Sequence, residues 1–166
     1  VVSDAEFRTS LREQLPSVFA WFISFALLCR LWITQHALLD CGNMRSRAFV
    51  GVNFIFLGAV SFIAFPTALV SEHPEQALSV VIFSVCYAIA GLALGGMWFL
   101  LEEREGEGEK EPEELAKGAK RVIVGIPLVA IVACVLSQLN PYFGVAVWIT
   151  VLFVGLTIKG RKVRGQ

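Results

Sequence analysis

The sequence predicts an all-α, polytopic membrane protein, and two observations carry this prediction. The chain has 166 residues, of which 56% are hydrophobic and 17% are charged, whereas a soluble domain usually carries about 25% charged residues. The apolar residues also fall into five blocks, each close to the roughly 20 helical residues that cross a bilayer core. These blocks cover approximately residues 16–39, 48–70, 77–101, 122–139 and 142–158.

The positions of lysine and arginine predict the orientation of the five helices. Basic residues occur at 45–47, between 104 and 121, and between 159 and 164, whereas the loops at 71–76 and 140–141 contain none. Because cytoplasmic loops are the ones enriched in Lys and Arg, the three basic clusters belong on the cytosolic side. The C-terminus is then cytosolic, and residue 1 lies outside.

The N-terminal segment 1–15 is predicted to be an extracellular amphipathic linker. Phe7, Leu11 and Leu15 recur at a spacing of four, which makes one apolar stripe suited to the membrane interface. The chain starts Val-Val-Ser-Asp and has no features of a signal peptide. We therefore expect a further transmembrane helix ahead of it, giving six in all.

Two polar segments complete the predicted organisation. Residues 102–121 alternate glycine with charge and have no apolar period, so they are expected to form an acidic cytosolic linker between transmembrane residues 16–101 and 122–158. A regulatory or partner-binding role for this linker is the alternative. Residues 159–166 form a basic cytosolic tail, which is suited to anionic membrane lipid.

Several residues within the spans bear on helix packing. Gly91 and Gly95 form a GxxxG pattern, which lets two helix backbones approach closely. Pro66 and Pro127 each lack a backbone donor and are expected to kink their helices. The hydroxyl of Thr67 could bond to the carbonyl that Pro66 leaves free.

Polar residues in the first apolar block need an explanation, because an ionisable side chain at mid-membrane costs about 2.5–3.5 kcal/mol on insertion scales. Arg30 could extend its long side chain to the headgroups. Trp32 and His36 are four residues apart and therefore share one helical face. Either they mark an aromatic belt at the interface, or their ring nitrogens, with the neighbouring Gln35, hydrogen-bond to an adjacent helix.

Other functional classes find no support in the sequence. No hydrolase, phosphate-loop or zinc-protease motif is present, so neither a catalytic site nor a metal site is predicted. The two histidines, His36 and His73, are predicted to lie near opposite membrane surfaces. The four cysteines are interpreted as small hydrophobic residues. No sequence pattern indicates nucleic-acid binding.

Two stretches of the chain resemble the second and third helices of the lysosomal potassium channel family, in its prokaryotic branch. The pattern S-x7-W-x3-H of the family's second helix is matched by Ser24, Trp32 and His36. The matches in the third helix are Asn53 near its start, then Phe65, Pro66 and Thr67, followed by Glu72 in a short acidic turn. The resemblance covers approximately residues 3–101, and the last two spans match only in hydropathy and order.

This resemblance implies a potassium-permeable channel that assembles as a homotetramer of six-helix subunits without a Thr-Val-Gly-Tyr-Gly filter. In the family the first helix lines the pore, and the Trp and His of the second helix support it. Ser24, Trp32 and His36 are thus expected to form the support network for a pore helix that this sequence lacks. Many relatives have two adjacent histidines where this chain has Gln35 and His36. A role that requires both histidines is therefore not expected in this chain.

The sequence therefore predicts a potassium-permeable cation channel subunit in a prokaryotic plasma membrane. Its expected partners are identical subunits, membrane lipid and permeant potassium, with no cofactor. One alternative is a small secondary transporter or proton-linked carrier that uses Arg30 and His36 as a charge relay. Another is a non-conducting membrane scaffold.

Overall fold

The computed structural model describes residues 4–41, 46–102 and 113–163. Within these ranges every element is a helix. Residues 1–3, residues 42–45 with Arg45 of the first basic cluster, the linker residues 103–112 and the last three residues lie outside the described residues. The helices are α1 (Asp4–Glu13), α2 (Leu15–Cys41), α3 (Arg47–Phe62), α4 (Ala64–Glu72), α5 (Ala77–Glu102), α6 (Glu113–Leu139) and α7 (Pro141–Val163).

The lengths and compositions of the helices confirm an all-α, multi-pass membrane protein. Four described segments are long and apolar enough to cross a bilayer: Phe7–Asp40, Arg47–Glu72, Ala77–Leu101 and Lys120–Leu139. Helix α7 covers the fifth predicted block, and its stretch Pro141–Leu152 is also apolar. Many large apolar side chains are exposed on the outside of the bundle, as expected where acyl chains are the solvent.

Helix α5 is the centre of the bundle, because it contacts α2, α3, α4, α6 and α7. The predicted GxxxG pattern faces α6. A Cβ atom added at Gly91 would lie 2.9 Å from Cγ2 of Ile126, and one added at Gly95 would lie 2.9 Å from Cγ2 of Ile123. The two glycines therefore allow α5 and α6 to pack closely in antiparallel orientation.

The α6–α7 connection is a tight turn at Asn140, as the Asn-Pro step predicts. The side-chain oxygen of Asn140 accepts a hydrogen bond of 3.0 Å from the backbone N–H of Tyr142, which is an N-cap, and Pro141 occupies the first helical position. Because α5 and α6 are antiparallel, this turn lies at the same end of the bundle as the α4–α5 turn at 73–76. We call this end the turn end.

The second apolar block is divided into α3 and α4 at Ile63. The backbone N–H of Ile63 is shared between the carbonyls of Ala59 and Val60, which is typical of a helix end. Pro66 follows in the first turn of α4, where a missing N–H is tolerated. In contrast, α6 continues through Pro127.

The helices begin and end at places that the sequence pattern did not identify. Helix α1 is separated from α2 by Gln14 alone, and backbone hydrogen bonds run on across this residue. Helix α6 begins at Glu113, inside the segment predicted to be a linker. Helix α7 likewise extends to Val163, into the predicted basic tail. Amphipathic and charged residues therefore extend the helices beyond their apolar blocks.

Candidate functional site

The polar side chains of α2 are divided between two faces of the helix. Ser24, Thr34 and Gln35 are buried against the bundle, whereas Trp32 and His36 point away from it. At about 100° per residue, Trp32 and His36 lie roughly 80° and 120° around the helix from Ser24. The structure therefore does not bring the three residues of the S-x7-W-x3-H pattern together.

A buried hydroxyl network joins α2, α4 and α5 next to the break at Ile63. The hydroxyl of Ser24 lies 2.9 Å from that of Thr67 and 3.3 Å from that of Tyr87. Tyr87 donates to the backbone carbonyl of Ser24 at 2.9 Å, and Thr67 donates to the carbonyl of Ile63 at 2.8 Å. The Ser24 hydroxyl can then donate its hydrogen bond to the Thr67 hydroxyl oxygen, so every hydroxyl proton of this network has an acceptor.

The Thr67 bond differs in detail from the prediction. The carbonyl that loses its helical partner to Pro66 is that of Phe62, four residues earlier. Thr67 bonds instead to the carbonyl of Ile63, at the break itself. The hydroxyl therefore stabilises the junction between α3 and α4.

A second polar contact joins α2 to α3 about three turns along α2 from Ser24. The side-chain N–H of Gln35 donates to the side-chain oxygen of Asn53 at 2.8 Å. Asn53 is thus held by a residue of α2, and a buried amide is satisfied without water. This pair is a direct polar link between α2 and α3.

Arg30 is directed towards α7. Its Nη1 atom donates to the backbone carbonyl of Val151 at 3.2 Å, and its own carbonyl accepts a bond from the Thr34 hydroxyl at 3.1 Å. Burial of the guanidinium is partial. The described contacts join Arg30 to α7 and His36 to Asp40, and they include no direct link between Arg30 and His36.

The outward face of α2 carries an aromatic stripe, which we define as Trp21, Phe25, Trp32 and His36. Trp21 stacks on Phe25 with centroids 5.3 Å apart, and Trp32 stacks on His36 at 5.1 Å with ring planes within 9°. His36 Nε2 lies 4.0 Å from a carboxylate oxygen of Asp40. Trp32 is 58% exposed, and its indole N–H has no hydrogen-bond acceptor among the described residues.

A groove runs beside the aromatic stripe between α2 and α4. It has a volume of about 270 Å³, and four hydroxyl side chains line it together with Trp21 and Phe25. These hydroxyl residues are Ser17, Ser24, Thr67 and Ser71. Small residues at a membrane-helix surface allow another helix to approach closely, so this side of α2 has the shape of a helix-packing surface.

The remaining predicted site residues are distributed over the fold. Phe65 is exposed, and Pro66 is buried beside Thr67. Sequence reasoning missed Tyr87 of the hydroxyl network, although a tyrosine within an apolar span is a signal that a hydrogen-bond partner is needed. It also missed the bond from the Trp148 indole N–H to the Ser84 hydroxyl, 3.0 Å long and buried. No three His, Cys, Asp or Glu side chains cluster as metal ligands within the described ranges.

Replacing Tyr87 by phenylalanine is expected to lower the free energy of unfolding by about 0.5–1.5 kcal/mol, because one buried hydrogen bond is lost without a change of shape. Denaturation in mixed detergent micelles measures this quantity. Tyr142→Phe is the matched control, since Tyr142 is exposed and the expected change is within about 0.5 kcal/mol. Equal effects of the two substitutions would show that the hydroxyl network does not stabilise the fold.

Comparison with known proteins identifies relatives for the N-terminal part of the chain. Residues 1–66 match the family described as endosomal/lysosomal potassium channel TMEM175. A protein named potassium channel from Chamaesiphon minutus is 27% identical over 93 residues, which cover 54% of this chain and 46% of that protein. A second potassium channel, from Streptomyces collinus, is 24% identical over 96 residues, covering 55% of this chain and 47% of that protein.

These matches confirm the resemblance that the S-x7-W-x3-H pattern and the residues around Pro66 indicate, and both relatives are bacterial. They support a prokaryotic member of the family. The chain spans about half the length of the curated relatives it matches. No solved structure gives a significant match.

Proposed function

We propose that this protein, whose first 66 residues match the endosomal/lysosomal potassium channel family TMEM175, forms a potassium-permeable channel. The observation that carries the proposal is this family match together with two bacterial relatives named potassium channels. The matched residues contain α2, α3 and the start of α4. They therefore include Ser24, Gln35 and Asn53, which join these helices to each other and to α5.

The described helices would act as a scaffold around the ion path. The sequence contains no Thr-Val-Gly-Tyr-Gly segment, so selectivity would not come from the carbonyl filter of other potassium channels. We propose instead that a pore-lining helix, which is not among the described residues, packs on the aromatic stripe of α2 and on the groove beside it. The exposed indole of Trp32 and imidazole of His36 would then hydrogen-bond to that helix.

The arrangement of α2 supports this role. Its inward polar groups, Ser24 and Gln35, are bonded within the chain, so α2 is held at a defined rotation. That rotation turns Trp32 and His36 outward together, as a stacked pair. A buried indole N–H usually has a hydrogen-bond partner, and a helix or subunit packed on this face would supply one to Trp32.

The assembly and the orientation are part of the same proposal. The family resemblance implies four subunits around one central path, and a closed symmetric ring of subunits would satisfy identical contacts in every one of them. The basic clusters support a cytosolic C-terminus, and the C-terminus would then lie in the cytosol of a prokaryotic cell. Potassium would be the permeant ion, with no cofactor and no catalysis.

Single-channel recording of the full-length protein in planar bilayers tests the proposal. A channel gives unitary currents that reverse near the potassium equilibrium potential under a potassium gradient. A carrier using Arg30 and His36 as a relay would move ions without unitary currents, and a scaffold would move none. Either of these last two results would contradict the proposed channel.

Trp32→Ala and His36→Ala are each expected to reduce potassium flux into liposomes or to weaken the tetramer, because both remove a group that would bond to the pore-lining helix. Ile33→Ala is the matched control, since Ile33 is also exposed on α2 but lies on a different face. Flux assays and size-exclusion chromatography with light scattering measure the two effects. Normal flux and assembly in both variants would remove the support role.

A further inference from the structure

An apolar cavity of about 220 Å³ lies between α2, α4, α5 and α7 at the turn end of the bundle. Its walls include Phe19 of α2, Phe83 of α5, and Val145 and Trp148 of α7. Pro74 and Tyr142 line it next to the two turns. The cavity lies on the far side of α2 from the aromatic stripe and shares no residue of α2 with the groove, although Thr67 and Ser71 line both.

The chemistry of the walls disfavours a polar ligand. No residue lining the cavity is charged, and two of its three hydroxyl side chains are already bonded to backbone carbonyls: Thr67 to Ile63 and Ser71 to Ala68. The third hydroxyl, that of Tyr142, lies next to the α6–α7 turn. The indole N–H of Trp148 is bonded to Ser84. A water molecule needs two to four polar partners, and a dry apolar cavity of about 150 Å³ is already large enough to bind benzene. This cavity therefore favours hydrocarbon over water.

The position of the cavity indicates which hydrocarbon can enter it. From Tyr142 to Ile149 the walls follow two turns of α7, or about 10 Å at 1.5 Å per residue. One end of the cavity lies beside the turns at Pro74 and Tyr142, and tyrosine is typical of the membrane interface. The other end lies beside the rings of Phe83 and Trp148. A flexible chain anchored at the membrane surface matches this shape.

We propose that this cavity binds one acyl chain of a membrane phospholipid, with the headgroup at the surface near Pro74 and Tyr142. The chain would fill the space between α2 and α7 and contact the face of the Trp148 ring. A phospholipid is favoured because the cavity reaches Pro74 and Tyr142 at the turn end, where a headgroup can remain in water while one acyl chain leaves the bilayer. This inference does not depend on ion permeation.

Native mass spectrometry of the protein released from micelles containing phosphatidylglycerol tests the proposal directly. The unmodified protein is expected to retain one phospholipid. Val145→Phe and Ala20→Phe each add bulk to a cavity wall, and displacing about two buried methylene groups should weaken retention roughly tenfold. Val135→Phe is the matched control, because Val135 and Val145 lie five residues on either side of Asn140 and Val135 is exposed on α6.

Fluorescence of Trp148 provides a second measurement that does not depend on cavity-filling variants. A protein with Trp21, Trp32 and Trp98 replaced by phenylalanine keeps Trp148 as its only indole. Phospholipid brominated along its acyl chains is expected to quench this emission, although Trp148 is only 2% exposed. The same lipid should quench it less after Val145→Phe and equally after Val135→Phe.

Three results would overturn the proposal. The first is equal phospholipid retention in Val145→Phe and the unmodified protein. The second is no quenching of Trp148 by brominated phospholipid. The third is quenching by a brominated free fatty acid but not by brominated phospholipid, because the cavity would then take a different ligand.

Discussion

Trp148→Ala is expected to lower the free energy of unfolding by about 3–5 kcal/mol, the range typical of removing a buried aromatic side chain. The ring packs edge-on against Phe83 with centroids 5.5 Å apart and lies 4.9 Å from Tyr87. It also donates its N–H to Ser84, which is fully buried. Alanine would leave a cavity between α5 and α7 and an unpaired hydroxyl.

Trp148→Phe separates the contribution of the Trp148 hydrogen bond to the free energy of unfolding from the contribution of its packing. It retains an aromatic ring but leaves Ser84 without its partner, which costs about 1–3 kcal/mol. Trp98→Phe is the matched control, because Trp98 is also buried and its indole N–H has no hydrogen-bond partner among the described residues. Denaturation in mixed micelles measures all three variants. If Trp98→Phe costs as much as Trp148→Phe, the bond to Ser84 does not contribute to stability.

Gly144→Ala is expected to lower the free energy of unfolding by about 1–3 kcal/mol, because the added methyl group overpacks the contact between α5, α6 and α7. The new Cβ would lie 2.7 Å from Cγ1 of Val80, 2.9 Å from the backbone oxygen of Ala133 and 3.0 Å from Cβ of Ser137. The backbone oxygen cannot move aside as a flexible side chain can. Helix α7 would have to shift away from α6.

Gly58→Ala provides the control for this substitution, since a Cβ at Gly58 would meet nothing within 4 Å. Alanine is a better helix former than glycine by about 0.8–1.0 kcal/mol, so Gly58→Ala should be neutral or stabilising. Thermal unfolding in detergent compares the two variants. A stabilising effect of both would mean that α7 packs less closely on α6 than the structure shows.

The positions of the membrane-crossing segments could be predicted from the sequence because they depend on local composition. About 20 apolar residues in succession are long enough to cross a bilayer whatever their neighbours are. The turn at Asn140 is equally local, since Asn caps the next helix and Pro141 has the dihedral angle that a first helical residue requires. The S-x7-W-x3-H pattern in residues 24–36 likewise indicated the resemblance to the family that residues 1–66 match.

The rotation of each helix could not be predicted in the same way. Apolar side chains surround α2, so hydrophobicity does not distinguish the side facing lipid from the side facing the bundle. Spacing predicted that Trp32 and His36 share a face, and the structure shows that this face points outward. Tyr87 lies 63 residues from Ser24, and no local pattern connects them.

The sequence by itself determined the approximate positions of the apolar segments, the turn at Asn140 and the family resemblance, because length, composition and short motifs are properties of neighbouring residues. Only the tertiary structure decided that Ser24 bonds to Thr67 and Tyr87, that Arg30 reaches Val151, and that a cavity remains beside Trp148. These features depend on how α2, α4, α5 and α7 rotate against each other. Close packing and buried hydrogen bonds between distant residues set that rotation, and neither is encoded in hydropathy.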